Sequence, residues 1–294
     1  MPSLRLFAPL GLAAALAALI VGIGATVHST ASDKAVTGQR LPDLDQETPS
    51  QLEIREHVSG RRRSYLLGFR SAVRNIGDGP LIVNGHRRDT TTRYMSVDQI
   101  IDRDGKPQQV VPGVGRMRYA ISPDHRHWLY LDFEHYQLQR SELRRAGSSD
   151  VLVQDQKTGF CLGDRYRVTT RAVPAAAPQP VYTGRCGLSD PDLLQVRAGI
   201  SVGYGDAYSA YLEGQDLPLG NLPAGRYVLV HRVNADRRLK ELSYANDAAS
   251  VLLDLRWRSG NPYLRVLALC PDTARCDDLA WPTKAARPFG QKSK

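Results

Sequence analysis

Short runs of alternating apolar and polar residues, broken every few positions by glycine or proline, dominate this chain between residues 51 and 269. Side chains two apart share a face of a strand, whereas an amphipathic helix needs apolar residues three and four apart, and that longer period is scarce here. Strands are therefore predicted at 51–57, 64–73, 80–83, 95–101, 127–133, 151–154, 227–233 and 249–255, with a last one at 264–269. Turn signals separate them: Gly77-Asp78-Gly79, the loop 174–180, and Pro223-Ala224-Gly225. Many short strands without helical crossovers predict an all-β fold, an antiparallel β-sandwich. No internal repeat is visible.

The two ends read differently. Arg5 precedes an almost uncharged apolar stretch, 6–27, followed by Ser29-Thr30-Ala31. That pattern is an export signal, cleaved after Ala31 or retained as a membrane anchor, since ~20 apolar residues suffice to span a bilayer. Residues 1–31 are thus the signal or anchor, and the polar stretch 32–48 a spacer. The β domain occupies 49–256, and 257–294 is a C-terminal strand with a basic tail. The expected location is secreted or extracytoplasmic, with the N-terminal segment engaging the membrane.

Four cysteines, Cys161, Cys186, Cys270 and Cys276, fit an oxidising compartment and three possible connectivities. Spacing favours a tight Cys270–Cys276 loop and a longer Cys161–Cys186 staple. No Cys-x-x-Cys metal knuckle is present. A formal net charge of +9 attracts acidic partners, and export points away from nucleic acid toward an anionic envelope or acidic protein surface. The basic clusters Arg61-Arg62-Arg63 and Arg237-Arg238 are short and flanked by β segments, so they read as solvated hairpin ends. Neither Gly-x-Ser-x-Gly nor a phosphate-binding loop occurs, which removes the support for a serine hydrolase or nucleotide enzyme.

The segment His125-Arg126-His127-Trp128-Leu129-Tyr130-Leu131-Asp132-Phe133 carries the most chemistry. Residues two apart on a strand project together, so His125 and His127 can share one metal ion. Leu129, next on that face, cannot coordinate. A mononuclear site usually needs three protein ligands. His135 lies eight residues beyond His127, ~26 Å along a straight strand and too far. His231, His57 and His86 are the remaining partners that a fold could bring near.

This segment resembles the copper-ligand strand of the lysyl oxidase family, written His-x-His-x-His and in bacterial members HxHWH followed by Asp-Phe. Two further stretches are similar. QKTGFCLGD resembles the family's K-x-x-F-C-L-x-D, which puts Lys157 at the cofactor lysine. GYGDAYSAYLEGQ resembles the cofactor-tyrosine segment, with Tyr208 followed by Gln215 at the family's interval of seven. LPAGRYVLVHRVN and LKELSYANDAASV are similar to the family's closing strands, so the resemblance runs from about Leu52 to Leu255.

The resemblance implies copper on His125 and His127 and a lysine tyrosylquinone built from Lys157 and Tyr208. It also implies oxidative deamination of primary amines, including protein lysines, to aldehydes. Dioxygen is the oxidant, and peroxide and ammonia are released. The protein must orient the amine and supply a base, for which Asp206 and Asp132 are the candidates, either directly or by orienting an imidazole. Leu129 stands where the family has its third copper histidine. The alternative is therefore a non-catalytic extracytoplasmic binding module with a degenerate copper site.

Overall fold

The computed structural model describes residues 38–141 and 151–276. The apolar N-terminal stretch, the first residues of the spacer and the basic tail beyond 276 lie outside the described residues. Sixteen strands follow in order: β1 (Gln39–Arg40), β2 (Leu44–Gln46), β3 (Ser50–Ser59), β4 (Arg62–Asn75), β5 (Leu81–His86), β6 (Tyr94–Arg103), β7 (Lys106–Ile121), β8 (Arg126–Ser141), β9 (Val151–Phe160), β10 (Tyr166–Arg167), β11 (Gln195–Ile200), β12 (Tyr204–Tyr208), β13 (Asp216–Pro218), β14 (Gly225–Val233), β15 (Ala248–Arg258) and β16 (Asn261–Cys270). Among the described residues there is no helix.

The strands form two packed antiparallel sheets, the predicted sandwich. The larger, ten-stranded sheet runs β11-β5-β6-β7-β8-β14-β15-β16, with β1 on β6 and β9 on β8. In the smaller, β4 is the hub for β2, β3, β12 and β13, with β10 beside β12. Between them lie two buried clusters. One gathers Trp128, Phe133, Phe160 and Tyr208, the other Phe69, Tyr136, Tyr227 and Leu253.

Strand position explains the patterns. At β6 buried and open residues alternate, as a half-covered strand requires. Residues 248–255 of β15 are buried on both faces. Their outer face is covered by a third cluster of Val228, Val230, Leu252 and Ala268, which the Cys270–Cys276 disulfide closes. The other bridge joins Cys161 to Cys186, so both pairings favoured by spacing are present.

Each of the nine predicted strands has its counterpart, most of them longer. Three expectations change. Leu44–Gln46, in the predicted spacer, is fully buried and pairs with β4 as β2. The sixteen-residue β7 was invisible because Pro107, Pro112 and Gly113 read as breakers. Pro112 and Gly113 sit where the β6–β7 register slips, and a bulge tolerates both. Finally, β16 pairs with β15 along its whole length, so the sandwich continues past residue 256.

A paired imidazole and buried tyrosine site

The β7–β8 turn fixes the first histidine. The Ser122 N–H donates to the His125 carbonyl (2.8 Å), and the His125 N–H donates to Ser122 Oγ (3.1 Å). His125 is buried, 5% exposed, and His127 half-buried on β8. Their rings meet edge to face, with His125 Nδ1 3.2 Å from His127 Nε2. Metal–imidazole bonds of ~2.0–2.1 Å place two ligand nitrogens that far apart at an angle near ~100°. The same 3.2 Å is the length of an N–H···N hydrogen bond between the two rings, so the pair can share either a proton or an ion. Burial first, then the charges of His125 and Arg165, lower the His127 pKa to about 4, which keeps its imidazole in the neutral, ligating form at neutral pH.

Among the described residues no third donor joins the two histidines. Leu129 is buried and purely hydrocarbon, and no group of three His, Cys, Asp or Glu able to hold a metal occurs among the described residues. His231 lies in the core between Phe69 and Tyr136, with Nδ1 on Ser71 Oγ at 3.1 Å. His86 pairs with Asp98, His135 with Asp155, and His57 is exposed on β3. None of them joins the pair. Among the described residues, His125 and His127 are the two imidazoles that come together.

Tyr208 sits beside the pair at the end of β12. Its ring stacks on Phe160 at 4.0 Å and lies nearly parallel to His125 at 6.2 Å. Its hydroxyl accepts the Cys161 N–H at 2.7 Å, and burial raises its pKa, with the Asp206 charge adding to the effect. Asp206, two residues earlier and so on the same face, is fully buried. It accepts the Ala207 N–H (2.8 Å) and the Gly163 N–H (3.2 Å) and faces Arg165 Nε at 3.5 Å. Burial outweighs these partners and pushes its pKa up to about 7. Gly163 permits this crossing, since a Cβ there would fall 2.4 Å from Gly184 Cα.

Lys157 is elsewhere. On β9 it stands opposite His135, and its ammonium lies 3.0 Å from both Asp236 oxygens, beside Arg238. Cys161, whose N–H holds Tyr208, is four residues along, about 13 Å at strand spacing. Asp132, at φ +58° where the β8–β9 register slips, has no contact with the imidazoles. Gln215 is buried and accepts the Tyr136 hydroxyl at 3.0 Å, which makes it a core anchor.

Sequence reasoning gave no role to Asp164, the last residue of the QKTGFCLGD match, or to Arg165 after it. Arg165 reaches Asp206 and the Gly184 carbonyl, and Asp164 accepts the N–H groups of Val181, Tyr182 and Ser201. A charged Asp-Arg pair directly after a buried run was the available signal. The Cys161–Cys186 bridge and the Trp128 N–H bond to the Cys186 carbonyl (2.9 Å) fix this loop against β8.

No curated protein matches the chain. The sequence model of the lysyl oxidase family matches residues 83–260, well over half of the chain, and this span holds the imidazole pair, Lys157, Asp206 and Tyr208. With the sandwich and the buried tyrosine beside two histidines, this match places the chain in the lysyl oxidase family.

Proposed function

We propose that this lysyl oxidase-family chain works outside the cytoplasm as a non-catalytic binding module that keeps a two-imidazole metal pair without a complete oxidase centre. One observation carries the reading: among the described residues no third donor approaches His125 and His127, and Leu129, two residues along β8, has none to offer. Support comes from Lys157, whose ammonium is engaged by Asp236. Two disulfides and the apolar 6–27 stretch support export. In such a module His125 and His127 would be the residues that hold an exchangeable divalent metal.

A second reading is copper- and quinone-dependent deamination of primary amines, protein lysines among them. It is favoured by the buried trio of His125, Tyr208 and Asp206, which packing alone does not require. Bound copper would supply the redox chemistry that makes a quinone of the tyrosine. In this chain, Asp206 is placed to hold a proton near Tyr208, and Lys157 would first have to leave Asp236.

The full chain and its Leu129→His variant, loaded with copper, separate the two. The module reading expects sub-stoichiometric, readily chelated copper in the wild type, without quinone absorbance or phenylhydrazine labelling at Tyr208. Labelling of wild-type Tyr208 with aldehyde release from an amine overturns it.

A further inference from the structure

Away from the imidazole pair, three turns meet around an open cleft of about 630 Å³: the β3–β4 hairpin at Arg63 and Ser64, the turn at Gly220 and Asn221, and the β15–β16 hairpin at Ser259 and Gly260. That volume lies in the range of small-ligand sites. Tyr65 and Trp257 form its floor, edge to face at 5.9 Å. Both are only partly buried.

The floor is held in place. Trp257 Nε1–H donates to the Leu222 carbonyl at 2.9 Å, and the Tyr65 hydroxyl donates to Asn261 Oδ1 at 2.9 Å. With their polar ends tied, the rings offer carbon surface to the cleft. Around that surface stand amide and hydroxyl groups from Asn221, Ser64 and Ser259, all exposed. Apolar ring faces bordered by planar amides suit a pyranose, which has a C–H face and a rim of hydroxyls.

Among the described residues, Arg63 is the one charged residue lining the cleft, and the chain on either side of the lining residues is cationic. Arg63 is balanced by Glu56 at 3.2 Å and Arg256 by Asp254 at 2.9 Å. Arg61, Arg62 and Arg258 are exposed with no carboxylate partner among the described residues. Their charge calls for an anion next to the sugar face. We propose that this cleft binds an acidic polysaccharide, with a sugar ring on Tyr65 and Trp257 and uronate carboxylates on the free arginines. The site does not depend on the state of the imidazole pair.

The test is retention of the full chain by polygalacturonate, beside neutral dextran and polyglutamate. Polygalacturonate should bind, dextran and polyglutamate far more weakly, and added salt should weaken the complex. Trp257→Ala should reduce affinity at least about tenfold, as loss of an aromatic anchor does. Asn221→Ala, at an exposed turn and harmless to the fold, should reduce it several-fold, with unchanged thermal unfolding confirming the comparison. No binding of polygalacturonate overturns the proposal. So does equal binding of polyglutamate with neither substitution having an effect, which would mean charge attraction alone, and so does equal binding of dextran.

Discussion

The hydroxyl of Tyr208 accepts the backbone N–H of Cys161 at 2.7 Å, fastening the tyrosine to the residue whose sulfur is bridged to Cys186. Removing that oxygen leaves a buried amide without an acceptor. Tyr208→Phe should therefore cost ~1–3 kcal/mol in urea unfolding. A change below a few tenths would mean that water replaces the bond.

Asp206 gives a pH signature. Its folded pKa of about 7 lies above the ordinary carboxylate value, so the native state binds a proton that the unfolded state releases. Its contribution is complete below pH ~4 and lost as pH rises toward 7. Compared with wild type, Asp206→Asn should gain relative stability by up to ~1.4 kcal/mol per pH unit between 4 and 7, then level off. Unfolding both proteins across pH 5–8 checks this, and a constant difference would show that Asp206 does not titrate there.

Gly163 crosses Gly184 so closely that an added Cβ meets backbone, not a side chain that could swing aside. Gly163→Ala should cost on the order of 1–3 kcal/mol. It should also loosen the Tyr208 anchor, visible as faster amide exchange at Cys161.

Much of this frame was legible in sequence. Alternation marked β3, apolar and aromatic richness marked β4, and spacing favoured the correct cysteine pairs. By contrast, β7 was hidden by Pro112 and Gly113, whose place in a bulge depends on the partner strand. At the site, the motifs pointed to His125, His127, Asp206 and Tyr208; Asp206 and Tyr208 share a face of β12, whereas His125 precedes β8 and is set by the Ser122 turn. The engagement of Lys157 by Asp236 was not legible, because Asp236 belongs to the loop after β14, which no motif connects to β9.

The Cys270–Cys276 bridge closes a six-residue separation over the outer cluster. Replacing both with serine should cost ~2 kcal/mol by the loop-entropy relation. Binding of an apolar dye should rise as Val228, Val230 and Leu252 gain access to water, and an unchanged dye signal would mean that other residues cover them.

At the margin of the large sheet, β16 carries Pro262 and exposed Arg265, features that discourage a neighbouring chain from adding itself as another strand. Behind it, β15 is apolar and buried on both faces over 248–255. A protein truncated after residue 256 would present that strand as its border and polymerise through it. The smallest soluble unit of this sandwich must therefore run through Cys276.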